Sequence, residues 1–561
     1  MLSCLGGAAH ANAQGIVTIK PEFFHLDTSK NLILINAPSP RLLTKLEPLR
    51  VLSSGGHQYT LAQPVASVST REAYRVTEGG STYTAYFTQV PVIQISTKHQ
   101  IVDAPSVYAS FSLTDTSGVT IRSALSIEIR GGFSQTFPKK SYELELLADT
   151  LKANVQDISL LGMRTDNKWN LQAMYNDPLR LRIKAANELW QDMDQVYYKA
   201  QEPSAKNGIA LAYTEVFLNN KYQGVYALTE RVDRKQLKLK KYTTQIQGEL
   251  YKGVDWADGT VTFNALSAYD NKSLSWGGFE YKEPSEQTEW KTLHDFVDYV
   301  ENSSDADFYG QYKTRFNLEN AVDYFIFLNL MRATDNTGKN IYIAKYKPNE
   351  PYYYVPWDLD GVLGNNWFGT NDNVTNDILT NGMYKRLFKD ASGSGEFWAA
   401  LASRWATLRA TVLTKEAIGA KLSRQSSYLL ANSMYEREHL AWPEYRYDAA
   451  QLAYPATWLA SRLTYLDSYF KPQLSAVLGT QPAATVTALH LYPNPATSEL
   501  NVAFGTGPYQ LLIQDMSGKM LMQNNVAAGV GHVAIGALPP GVYLVRVKSA
   551  TITAVQKLVV Q

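Results

Sequence analysis

One cysteine, Cys4, is all that the 561 residues contain. An intrachain disulfide and a cysteine metal cluster are thereby excluded. An excess of one charge is lacking too. The 53 Lys and Arg against 52 Asp and Glu leave a formal net charge of +1, which gives no global pull toward nucleic acid or a membrane surface. No run of eighteen apolar residues occurs, so no transmembrane helix is expected. Charged residues make up only 19% against 45% hydrophobic, the balance of a folded chain and not of a disordered one. The length exceeds one ordinary domain and suggests two to four.

What is present concentrates in one stretch, MRATDNTGKNIYIAKYKPNEPYYYVPWDLDGVLG, residues 331–364. Asp335 and Asn340 share a polar loop. IYIAKY and YYYVPWDLD read as two strands joined by a KPNEP turn. Strand alternation then puts Asp358 and Asp360 on one face and Leu359 on the other. Two carboxylates on one face call for a neutralising partner, and a hard divalent cation suits them. The spacing Asp335-x4-Asn340 is that of the protein-kinase catalytic loop, where the Asp orients the acceptor hydroxyl and the Asn holds a metal. A plain polar turn and a strand cap explain the same residues about equally well on spacing alone. An Asp-x-Asp of a sugar-nucleotide transferase is a third reading of Asp358 to Asp360.

Along the chain, residues 1–14 read as the tail of a secretory signal with a small-residue cleavage site. Residues 15–90 read as an accessory β region. In residues 91–150, SALSIEIR runs into Gly131-Gly132, and KKSYELELL puts Lys140, Tyr142, Leu144 and Leu146 on one face, with Lys139 on the other. A lysine there can grip phosphates; a strand-edge pair that discourages aggregation is the alternative. Asp177 and Pro178 read as the N-cap and first residue of a helix. Its face of Leu181, Ala185, Glu188 and Leu189 brings Glu188 within reach of a strand lysine or leaves it in water. A hairpin with an Asn219-Asn220 turn follows, then a basic run, RVDRKQLKLKK, that reads as a solvated face. GELYKGVDW adds a strand that ends near Lys252. Helices dominate from about 288 to 470. The order, strands first and helices later, suggests two lobes with a cleft between them. Residues 476–489 read as a linker, and 490–561 as a small all-β sandwich.

Residues from about 91 to 470 resemble the CotH kinase-like family. The resemblance rests on IRGGFSQTFPKKSYELEL, KWNLQAMYNDPLRLRIKAANEL, EVFLNNKYQGVYALTERVD, GELYK, the DNTGKN loop and VPWDLDGVLG, in order. It implies an α+β, divergent bilobal kinase-like domain that transfers the ATP γ-phosphate to Ser or Thr of a secreted protein, with Mg²⁺ or Mn²⁺. It makes Asp335 the catalytic Asp and Asp358 a metal ligand helped by Asn340, with Asp360 beside them. Lys140 or Lys139 would hold phosphates, and Arg130, Arg182 and Glu230 fall in the same motifs and are grouped with the nucleotide. Gly131-Gly132 is a fragment of a Gly-rich loop, and RGGFSQ replaces the more usual RGNSS-like run. A catalytically inactive kinase fold, kept for adhesion or structure, is the alternative. The C-terminal unit is similar to the type IX secretion sorting domain through LYPNPATSELNV, IQDMSGKML, GALPPGVYLVRV and KLVVQ. That implies type IX machinery as a partner and export across a bacterial outer membrane. No nucleic-acid partner is expected.

Overall fold

A computed structural model describes residues 9–11, 15–37, 47–151, 153–257, 259–389, 395–478, 489–504, 507–515, 519–527, 529–549 and 553–561. The protein is mixed α+β and divides into two units, Met1–Leu474 and Ser475–Gln561.

The first unit begins with an eight-stranded sheet. Its core holds Val17, Ile33, Ile35, Leu52, Val76 and Phe87. Ala9–Ala11 pairs with Ile16–Ile19 at its edge, so part of the stretch read as a signal tail is strand; the other residues of 1–14 lie outside the described set. Seven strands between Val92 and Thr229 then close into a barrel. Alternation drives closure: Leu125 and Ile127, Leu144 and Leu146, and Tyr226 and Leu228 all point into one dry interior around Trp169. The hairpin Leu211–Leu218 and Lys221–Thr229 turns on Asn219 and Asn220, both at positive φ (50° and 58°). That is the conformation a two-residue hairpin needs and Asn tolerates.

A second, five-stranded sheet contains Glu249–Gly253, Ile341–Lys345 and Tyr352–Pro356. Both of its faces are covered. Tyr251, Ile341, Ile343, Tyr352 and Tyr354 join the large helical core, while Leu250, Tyr342, Ala344, Tyr353 and Val355 meet a smaller cluster. The helix Leu318–Met331, buried at nearly every position, packs under this sheet and leads into the 335 loop. Strands therefore return after the first long helices, and the division between sheet and helix does not follow chain order. The helix expected from Asp177 starts at Arg182 and runs to Met193. Residues 177–181 instead form a tight turn in which the Asp177 carboxylate accepts from the amides of Leu179, Leu181 and Arg182.

In the second unit a three-stranded and a four-stranded sheet share a core of Leu500, Val502, Leu511, Ile513, Val545, Val547 and Leu558. The helix Ala453–Leu478 runs into the expected linker, of which residues 479–488 lie outside the described set. No helix among the described residues is long and apolar enough to cross a membrane.

Candidate active site

The helix Leu318–Met331 stops because Arg332 turns left-handed (φ 48°), and a short helical turn, Thr334–Thr337, carries Asp335 outward. Asn336, the next residue, is buried and ties the site together. Its Nδ2 donates to the carbonyls of Asn340 (2.7 Å) and Trp357 (2.8 Å). The Trp357 amide in turn donates to the Asn340 carbonyl at 3.0 Å. One side chain thus fixes the loop of Asp335 and Asn340 against the end of strand Tyr352–Pro356. The approach is close enough that a Cβ on Gly253 would lie 1.8 Å from the Gly338 carbonyl oxygen, so only glycine fits at 253.

The strand ends at Pro356, two residues before Asp358. Asp358 sits at positive φ (56°), so a left-handed turn, and not strand alternation, aims it with Asp360 at one cleft. Asp tolerates this conformation better than most residues, and such backbone is common at functional sites. The cleft holds about 1190 Å³, and its lining includes Asp335, Asn340, Asp358 and Asp360 together with Arg130 and Lys252. A small recess of about 40 Å³ behind it is lined by Lys139, Arg130, Asp358 and Asp360.

The electrostatics are those of crowded acids. Burial, and then the Asp358 charge, push the Asp360 carboxyl up to about 8, although Asn176 Nδ2 donates to it at 2.8 Å. Burial and Asp358 also raise Asp335, opposed by Lys339. The carboxylates of Asp335 and Asp358 have no hydrogen-bond partner among the described residues. No group of three His, Cys, Asp or Glu side chains among the described residues forms a metal cage. The set fits a cation of the Mg²⁺ type, which takes one or two carboxylates and completes its shell with water and phosphate oxygens.

Residues 127–466, well over half of the chain, match the CotH kinase protein family. The chain belongs to the CotH kinase family. Residues 490–561 match a secretion system C-terminal sorting domain of the type IX kind, which directs the protein to the cell surface or the medium. No curated protein matches the chain. A solved structure of PorZ, an essential bacterial surface component of the type IX secretion system of Porphyromonas gingivalis, is 21% identical over 15% of this chain and 13% of that one, with a TM-score of 0.13. So short and loose a likeness bears on neither fold nor role.

Of the residues singled out by the CotH motifs, the cleft gathers Arg130, Asp335, Asn340, Asp358 and Asp360. Arg130 donates to Gln172 Oε1 at 2.6 Å and lies over the Trp357 ring. Lys139 borders the recess, but its ammonium is wholly buried and engaged: Glu438 Oε1 lies 2.6 Å away and the Val225 carbonyl 2.5 Å away. Arg180 shares Glu438 at 3.0 Å. Burial depresses Lys139 and opposes the charge on Glu438, yet the two cations hold Glu438 below the usual carboxylate range.

Three others are not brought to the cleft. Lys140 turns back on the carbonyls of Gln135 and Phe137, both at 2.6 Å, because the chain curls into a short helical turn just before the strand. Arg182 is buried against Asp177 at 2.5 Å. Glu230 accepts from the amides of Arg164 and Ala210, closing the end of the barrel hairpin. Glu188 meets Lys184 and Arg424 at the surface and no strand lysine. Sequence reasoning missed Asn336, Asn176 and Glu438. Asn336 and Asn176 stand inside quoted motifs, where a polar side chain amid buried residues is the available signal; Glu438 carries none.

Proposed function

We propose that this CotH protein is an exported, metal-dependent phosphotransferase that moves the γ-phosphate of ATP to a Ser or Thr hydroxyl of a surface or secreted protein. The observation that carries the reading is the convergence of Asp335, Asn340, Asp358 and Asp360 on one cleft that also holds Arg130 and Lys252. In this reading the barrel with the five-stranded sheet serves as the β-rich lobe of a divergent kinase fold, and the helices serve as the other lobe.

Asp335 orients the acceptor hydroxyl and takes its proton. Its raised proton affinity suits that task better than an ordinary surface carboxylate. Asp358, Asp360 and Asn340 hold the cation. Mg²⁺ or Mn²⁺, when bound there, neutralises charge on the phosphates. Arg130, fixed by Gln172 and Trp357, stabilises the phosphoryl oxygens. Asn336 positions the loop from behind the cleft, and Asn176 holds Asp360 from within its lining. Calorimetric titration of Mg·ATP into the full chain and into Asp358→Asn tests the metal role. Affinity should fall by about tenfold or more when one carboxylate is lost. Equal affinity removes Asp358 from the metal site.

A further inference from the structure

Five cationic side chains line the cleft: Arg130, Arg231, Lys252, Lys282 and Lys339. Four are already engaged. Arg130 holds Gln172 and Trp357, Arg231 pairs with Glu143, Lys282 with Glu280, and Lys339 lies over the Trp256 ring at 4.1 Å. Lys252 alone of the five has no hydrogen-bond, ion-pair or ring partner among the described residues. It is only partly exposed, and Asp358 and Glu280 among the acids and Lys282 and Arg130 among the cations act on its charge.

Its placement follows from the strand. Tyr251 points into the large core, so Lys252 points the opposite way, with Tyr342 on one neighbouring strand and Glu280 on the other. The next residue, Gly253, accepts from the Asn340 amide at 3.1 Å and lets the Gly338 backbone pass at close range. Lys252 therefore stands beside the loop that carries Asp335 and Asn340. A partly buried ammonium left unpaired beside the acids of the cleft is placed to receive an anionic ligand. We infer that Lys252 grips the phosphates of the nucleotide, the task that sequence assigned to Lys139 or Lys140. The inference rests on the phosphotransferase reading and deepens it. Lys139 then acts as a positioning residue, locked to Glu438 and holding the barrel wall behind the phosphates.

The test is titration of Mg·ATP and of adenosine into the full chain and into Lys252→Met, Lys252→Arg and Lys140→Met, with a thermal melt of each. Loss of one charged contact predicts ATP affinity about tenfold to a hundredfold weaker in Lys252→Met. Adenosine affinity should be unchanged, Lys252→Arg intermediate, and Lys140→Met like the unaltered chain. If Lys252→Met fails to fold, Lys252→Arg carries the comparison, again as a selective loss for ATP over adenosine. ATP affinity unchanged in both Lys252 variants, or an equal loss for ATP and adenosine, overturns the role of Lys252 and leaves the phosphotransferase reading standing. An unaltered chain that binds no ATP with either metal overturns both.

Discussion

Glu438 is the residue whose removal the structure prices most clearly. Its side chain is completely buried and faces two buried cations, Lys139 at 2.6 Å and Arg180 at 3.0 Å. It also accepts the Val225 amide at 2.8 Å. Gly224 makes room for it, since a Cβ there would lie 2.2 Å from Glu438 Oε2. Glu438→Gln preserves the shape and one acceptor oxygen but leaves the two cations without a counter-charge. Breaking a buried pair in this way costs about 3–5 kcal/mol. The sign with pH follows from the lowered proton affinity of Glu438. A depressed folded-state pKa stabilises the protein above the unfolded value near 4.5, and that stability is lost as pH falls through the folded value. Urea unfolding of both proteins at pH 7 should therefore show a gap of about 3–5 kcal/mol, and the gap should narrow as pH falls below 4.5, where Glu438 takes up a proton in the unfolded chain before it does so in the folded one. A gap under about 1 kcal/mol at pH 7, or one that does not change with pH, refutes the assignment of Glu438 as the ionised hub of this network.

Asn336→Ala leaves the buried Trp357 carbonyl without its donor and frees the 335 loop. It should cost about 1–3 kcal/mol in urea unfolding and lower phosphotransfer by on the order of tenfold or more, since small misplacements of reacting groups are expensive. Normal stability with normal transfer would remove Asn336 as the tie. Ending the chain after Leu474 should leave the thermal melt of the first unit unchanged and keep the protein out of the medium and off the surface, measured by fractionating the producing cells. Arrival outside would contradict the role of the sorting domain.

Much of this was legible along the chain because it is local. The Asn219-Asn220 hairpin, the strands on either side of KPNEP, and the short strands of the C-terminal unit depend on neighbours a few residues apart. The grouping of Asp335, Asn340 and Asp358 was readable for the same reason, being one hairpin and its flanks. What the sequence hid is long-range. Lys139 finds Glu438 across 299 positions, and nothing near MYEREHLA marks that glutamate as the partner of a barrel strand. Arg182 falls in the motifs grouped with the nucleotide, but its partner is Asp177, and the turn that joins them forms only when the chain packs. Lys140 was placed by strand alternation one residue before the strand begins. The same limit applies at Asp358, where a left-handed residue lies beyond the reach of a period-two pattern.

The central claim is tested most directly by γ-labelled ATP, Mg²⁺ or Mn²⁺ and a generic Ser/Thr acceptor, with the full chain beside Asp335→Ala. Asp335 has no hydrogen-bond partner among the described residues, so its loss should leave folding intact. The account predicts metal-dependent label on the acceptor or on the protein itself, reduced by about a hundredfold or more in Asp335→Ala, with an unchanged melt in both. Equal labelling by the two proteins would contradict it.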